Sequence, residues 1–180
     1  LSEAQTLYAR YLAKVPDDAV VWSNLGALQR KAGRHLQAIR AHRRAVSLSP
    51  DAAGLLNNLA NVLSDVGQYD ESIQIRQKIL EIEPESLNHL SMIGRCLRGK
   101  GEYENAIAYL GDQIKKHPDD TELKMQLSFA QLGAGQYADG FETYRIRWQA
   151  GELKPRDVPF PEWKGEPLEG KTVLVLPEQG

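Results

Sequence analysis

The sequence is short of cysteine, of uninterrupted hydrophobic stretches and of net charge, and each shortage closes off a class of protein. With a single cysteine, Cys96, in 180 residues, no internal disulfide framework can form. The same scarcity suits a reducing compartment, so a cytoplasmic location is expected. No apolar run approaches the roughly 20 residues that a membrane-spanning helix needs, and a soluble chain without a membrane span is expected. Lys and Arg number 22 against 24 Asp and Glu, a formal charge of −2. Dedicated nucleic-acid binders carry a clear basic surplus, so no nucleic-acid partner is expected. RNA binding by helical repeats is disfavoured too, because aromatic residues do not interleave with the arginines. The four histidines, His35, His42, His89 and His117, are not grouped with Cys or carboxylates at ligand spacing, so no metal site and no cofactor are assigned. The chain opens without an initiator Met or a signal-peptide pattern and reads as a fragment.

What the sequence does have is a beat. Pro16, Pro50, Pro84 and Pro118 are spaced 34 residues apart, and Gly33, Gly67, Gly101 and Gly135 keep the same interval between them. A period of that length marks a solenoid, in which each unit buries its apolar face against a neighbour. Aligning units at Ala19, Ala53, Leu87 and Thr121 puts Leu56, Leu59, Ala60 and Leu63 in the same columns as Leu90, Ile93, Gly94 and Leu97. Positions 4, 7, 8 and 11 of a unit fall on one helical face at 100° per residue. The small residue at position 8 (Gly26, Ala60, Gly94, Ser128) admits a second helix closely, and the glycine at position 15 suits the turn that ends the first helix. The second helix carries an aromatic or His at position 17 and a small residue at position 20. The proline at position 32 ends it.

Each unit is therefore a helix hairpin, and the pattern resembles the tetratricopeptide repeat (TPR). The third unit matches best, through Leu90, Ile93, Gly94, Leu97, Ala106, Leu110 and Pro118. Gln113 and Arg147 depart from the small residue expected at position 27, and Lys124 from the apolar position 4, which points to a looser last unit. The resemblance implies an all-α, right-handed superhelix of antiparallel helix pairs over residues 1–150: a half repeat at 1–18, then 19–52, 53–86, 87–120 and 121–150.

In this family the face of the first helices opposite the core stripe lines a concave groove for extended peptides. The resemblance thus implies a protein or peptide ligand and nominates Ser23, Asn24, Ala27 and Arg30; Asn57, Asn58, Asn61 and Ser64; Asn88, Ser91, Arg95 and Arg98; then Met125, Phe129 and Leu132. Asn both donates to and accepts from a peptide backbone; hydrogen bonding between adjacent repeats is the alternative use for these amides. Asn24 and Asn58 resemble the start of the asparagine ladder of O-GlcNAc transferases, which Met92 and Gln126 interrupt. The Lys and Asn pair with which chaperone-tail grooves clamp a terminal carboxylate is missing: Ser23 with Ala27, and Ser91 with Arg95, stand in those positions. Arg95 and Arg98 could grip an acidic segment or a carboxylate; Asp65 and Glu122 could equally neutralise them. Arg34, Arg40, His42, Arg43 and Arg44 on the second helix of the first unit read as a solvated outer face. Cys96 reads as a small buried thiol. The apolar Met125, Phe129 and Leu132 need a cover, and the chain that follows is expected to supply it.

Beyond Gly151 the repeat stops. Pro155, Pro159, Pro161 and Pro167 make residues 151–170 an extended, stiff connector. The run Lys171-Thr172-Val173-Leu174-Val175-Leu176 then reads as a β-strand, the start at 171–180 of an α/β domain cut short. Pro161-Glu162-Trp163, Gly165-Glu166, Leu168 and Gly170-Lys171 resemble the junction of bacterial proteins in which TPR units precede a glycosyltransferase-like domain. That likeness implies a sugar nucleotide as cofactor of a longer protein, with Glu178, Gln179 and Gly180 leading to its cleft, and a solenoid that recognises the acceptor. It assigns no catalytic residue to this chain. The competing reading is a non-catalytic scaffold that self-associates through the solenoid into an oligomer.

Overall fold

The computed structural model describes residues 2–148, 159–161, 163 and 165–175. Helix α1 spans Ser2–Leu12, and four helix pairs follow: α2 (Ala19–Lys31) with α3 (His35–Leu48), α4 (Ala53–Asp65) with α5 (Tyr69–Ile82), α6 (Leu87–Gly99) with α7 (Tyr103–Lys116), and α8 (Thr121–Gly133) with α9 (Tyr137–Tyr144). A 3₁₀ turn, Arg145–Trp148, closes the last pair. The described residues contain no strand. Every first helix starts at a residue with which the 34-residue period was aligned.

The glycines explain the sharpness of the hairpin turns. Gly33, Gly67, Gly101 and Gly135 all have φ between 73° and 80°, a left-handed conformation that costs an L-residue with a side chain roughly 1–2 kcal/mol. In the first pair the Gly33 amide donates to the Arg30 carbonyl at 2.9 Å and the Arg34 amide to that of Gln29 at 2.9 Å. The other three turns repeat this pair of bonds, which satisfies carbonyls that the helix end would otherwise orphan. At the opposite ends, Asp18 and Asp120 cap α2 and α8 by accepting from the amides of Val21 (3.0 Å) and Leu123 (2.6 Å). Ala52 and Ser86, in the same column, make no side-chain cap.

Within a pair, the small residue at position 8 is what brings the helices together. A Cβ on Gly26 would stand 2.7 Å from the His42 ring, and one on Gly94 would meet the Leu110 side chain at 2.5 Å. Between pairs, Tyr69 packs against Gly99 and Tyr103 against Gly133. The last pair is shorter: α9 has 8 residues where α3, α5 and α7 have 14, and Arg147 at position 27 falls in the 3₁₀ turn.

The apolar core comes in two pieces. Ala38, Ile39, Leu59, Val62 and Leu63 join the first two pairs; Leu90, Ala106, Leu110, Leu123 and Ala130 join the last two. Helix α2 packs on α4 and α6 on α8, whereas α4 and α6 make much less contact. The joint between the second and third pairs is mixed: Leu80 of α5 packs on the second cluster, and Cys96 Sγ of α6 lies 3.3 Å from Ser64 Oγ of α4. Within the second pair, Ser72 Oγ donates to the Ala60 carbonyl at 2.9 Å and Ser64 and Ser72 share a bond of 2.8 Å.

Two expectations about the chain outside the core need correction. His42 belongs to no solvated basic face: it is buried against Gly26, while Arg34, Arg43 and Arg44 around it are exposed and bonded to Gln5, Glu71 and Asp17. Lys171–Val175 form no strand and are exposed, Val175 by 85%; no described segment offers the neighbouring ladder that a strand requires. Leu176, the cleft residues Glu178, Gln179 and Gly180, and half of the Pro-rich connector lie outside the described residues.

Candidate functional site

The first helices present one continuous face along the solenoid, and the nominated side chains divide on it by exposure. Asn24, Ala27, Asn88 and Arg95 are exposed; Arg30, Asn57, Asn58, Asn61, Ser64, Arg98, Met125, Phe129 and Leu132 are half-buried; Ser23 and Ser91 are buried. One of the amides ties two repeats together. Asn58 Nδ2 donates to Ser23 Oγ across the first joint at 3.0 Å. Ser91 Oγ is turned to the Asn88 carbonyl at 3.0 Å.

Two cavities open on this face. The smaller, about 330 Å³, is lined by Ala27, Arg30, Lys31, His42, Asn58 and Asp65. Arg30 and Asp65 form a two-pronged ion pair between α2 and α4: Nε donates to Oδ2, and Nη2 to Oδ1 at 3.0 Å. Beneath them the His42 Nδ1 sits 3.5 Å from Ser23 Oγ. Burial, and then the charge of Arg30, push the His42 imidazole down to about 4, so it is neutral at pH 7.

The larger cavity, about 530 Å³, fills the gap between α4 and α6. Its walls include the nominated Arg30, Asn61, Ser64, Arg95 and Arg98, together with Asp65, Tyr69, Met92, Cys96 and Gly99. At its back stands Arg76 of α5, a fully buried guanidinium. Arg76 Nη2 donates to Asn61 Oδ1 at 2.7 Å, while Nη1 is 3.5 Å from Asn57 Oδ1 and 3.2 Å from His89 Nδ1. Sequence reading passed over this residue because it sits on a second helix, at position 24. A signal was present: that column otherwise holds His42, Leu110 and Tyr144, and a lone Arg at a core-facing column is rarely neutral in effect.

The fate of Arg95 and Arg98 also differs from one of the two expectations. Asp65 is taken by Arg30. Glu122 accepts from Gln126 Nε2 at 2.8 Å, and Gln126 Oε1 accepts from Arg98 at 3.4 Å. Neither carboxylate pairs with Arg95 or Arg98. Instead Arg98 lies over the Phe129 ring, 5.3 Å from its centroid, and Tyr144 covers the same ring at 5.7 Å. Phe129 is thus half-covered by the last helix of its own pair.

A family model described as tetratricopeptide repeat matches residues 3–156. The chain is a tetratricopeptide-repeat protein. Solved structures agree on the fold. A TPR protein from Parabacteroides merdae superposes with a TM-score of 0.73 at 17% identity, over 84% of this chain and 59% of its own. A crystal structure of MamA gives 0.69 at 17% identity, over 82% and 86%. YrrB, described as a TPR protein with an unusual peptide-binding site, gives 0.59 at 19% identity, over 80% and 74%. No curated protein matches the chain. Among the described residues of the TPR solenoid, no helix is long and apolar enough to cross a membrane.

Proposed function

We propose that this TPR solenoid binds an extended peptide, or an extended segment of a partner protein, along the face of α2, α4, α6 and α8. The observation that carries the reading is the pair of cavities on that one face, joined through Arg30 and Asp65, which line both. Exposed Asn24 and Asn88 stand on α2 and α6, which also carry the cavity-lining Ala27 and Met92, and offer paired donor and acceptor groups to a peptide backbone. The likeness to YrrB, whose description includes a peptide-binding site, supports the same use of the fold. A further step of the proposal follows the junction at Pro161 to Lys171: the bound segment is the acceptor of a glycosyltransferase-like domain that uses a sugar nucleotide.

Peptides selected from a random library against the purified protein provide the test. A photo-crosslinker placed at Asn24 or Asn88 is expected to label the bound peptide, and one placed at Arg43 on the outer face is not. Ala27→Trp, which fills the smaller cavity, is expected to weaken binding at least tenfold. Labelling from Arg43 alone would overturn the groove reading. For the glycosyltransferase step, a longer protein containing this chain is assayed with a panel of sugar nucleotides. Transfer to protein acceptors should fall in Ala27→Trp while sugar-nucleotide hydrolysis persists; absence of both transfer and hydrolysis in the unaltered protein would leave a binding module without that role.

A further inference from the structure

We propose that the gap between α4 and α6 is an oxyanion-binding subsite, with the buried guanidinium of Arg76 at its back and Arg95 and Arg98 at its mouth, that receives a carboxylate or phosphate of the bound peptide. This rests on the groove reading and adds the chemistry of the ligand at one point along it.

The argument starts from the cost of Arg76. A guanidinium with no solvent exposure is expensive unless an opposite charge compensates it. Among the described residues no carboxylate pairs with it. Its partners are the neutral oxygens of Asn57 and Asn61 and the His89 ring, and its Nε is buried with no hydrogen-bond partner. The Nε of Arg98 is in the same condition. The groups around Arg76 do not relieve it either: the charges of Arg95 and Arg30 add to burial in pushing it below its ordinary value, with only Cys96 acting the other way.

The cavity offers a place from which compensation can come. Four guanidiniums, of Arg30, Arg76, Arg95 and Arg98, line it against one carboxylate, Asp65. That carboxylate is held by Arg30, so Arg76, Arg95 and Arg98 have no carboxylate partner in the cavity wall. Arg95 is exposed and bonded to no acid among the described residues. At about 530 Å³ the space accommodates a carboxylate or phosphate with part of the chain that carries it. Planar guanidiniums are suited to both groups through paired N–H donors. The first helices α4 and α6 touch less here than α2 and α4 or α6 and α8 do, and the space left between them is where the arginines converge.

The test follows the Arg side-chain Nε–H signals by NMR during titration of the intact chain with inorganic phosphate, and separately with acetate, at low salt. The expected result is a saturable shift confined to Arg76, Arg95 and Arg98. Arg95→Gln should weaken phosphate binding at least fivefold and Arg76→Leu at least tenfold, while Arg43→Gln on the outer face should leave it unchanged. Arg76→Leu puts in place the residue that the third unit carries as Leu110, and its circular dichroism spectrum checks that it folds; Arg95→Gln, at an exposed position, keeps the test independent of folding. A second arm compares three peptides of one length that differ only at a central pair of residues: Glu-Glu, Gln-phosphoserine and Gln-Gln. Tighter binding of either acidic peptide than of the Gln-Gln peptide supports the subsite, and their order distinguishes carboxylate from phosphate. Equal binding of all three would overturn the subsite and leave the groove reading standing. Saturable phosphate binding with no peptide bound would support the subsite and count against the groove. No saturable shift, or an equal shift in Arg95→Gln, overturns the inference outright.

Discussion

His42 shows how one side chain ties the packing of the first pair to pH. Its ring takes the space that Gly26 leaves, and burial together with the nearby Arg30 charge holds it neutral down to about pH 4. In the unfolded chain a histidine takes up its proton near 6.5. Between those values the unfolded state binds the extra proton and the folded state does not, so stability rises with pH through that window. Acidifying from pH 7 toward 4 therefore removes at most about 3 kcal/mol on this account. His89 works in the same direction, because burial and then Arg76 lower it. The check is a thermal melt at pH 7 and pH 5 of the unaltered chain and of His42→Leu, which copies the Leu110-over-Gly94 arrangement of the third unit. The variant should lose less of its melting temperature on acidification. An identical drop in both would show that His42 does not titrate in this way.

At the scale of the helix, the four first helices start from one column whose residues are not equivalent. Asp18 and Asp120 cap α2 and α8, and Ala52 leaves α4 with no side-chain cap although its backbone, φ −78° and ψ 101°, nearly matches that of Asp18 at −85° and 98°. Ala52→Asp is expected to add about 0.5–1 kcal/mol by accepting from the amide three residues on, seen as a rise of roughly 2–4 °C per kcal/mol in the melting temperature. A fall would mean that the added carboxylate meets repulsion that the cap does not offset. Elements of this kind were legible in the sequence because they rest on local rules: glycine for a left-handed turn, proline to stop a helix, a small residue where two helices cross. The turn glycines and the close approach of a second helix at position 8 needed no knowledge of neighbours. Arg76 was not legible in the same way. Its burial depends on Asn57, Asn61 and His89 arriving from two other helices, and the face-by-face reading of first helices has no place for a second-helix residue that reaches through the joint. The strand expected at 171–176 is not formed over the described residues 171–175: its composition is right, but a strand is defined by a partner that the described residues do not contain.

Across the whole molecule, those local units do not add up to one core. In a solenoid, stability is a sum of unit terms and nearest-neighbour interfaces, so the joint between the second and third pairs sets how cooperatively the two halves unfold. At that joint Arg76 and Ser72 are buried beside the half-buried Leu80, whereas clusters holding Leu59 and Leu63, and Leu90 and Leu123, join the pairs on either side. Replacing a whole buried ion pair or triad with apolar residues of similar volume is often neutral or stabilising by about 1–4 kcal/mol, and among the described residues Arg76 has no carboxylate partner that its replacement would strand. Arg76→Leu should therefore raise the melting temperature, although the His89 ring loses its partner and reduces the gain. It should also extend slow amide exchange continuously from α4 to α6, where the unaltered protein is expected to show two protected blocks separated at Ser64–His89. The same substitution removes the back wall of the oxyanion subsite. A variant that is more stable, more cooperative and poorer at binding phosphate would show that Arg76 is kept for its ligand at the expense of the fold. If Arg76→Leu instead melts earlier and exchanges faster on both sides of the joint, Arg76 is the link that holds the two halves of the TPR solenoid together.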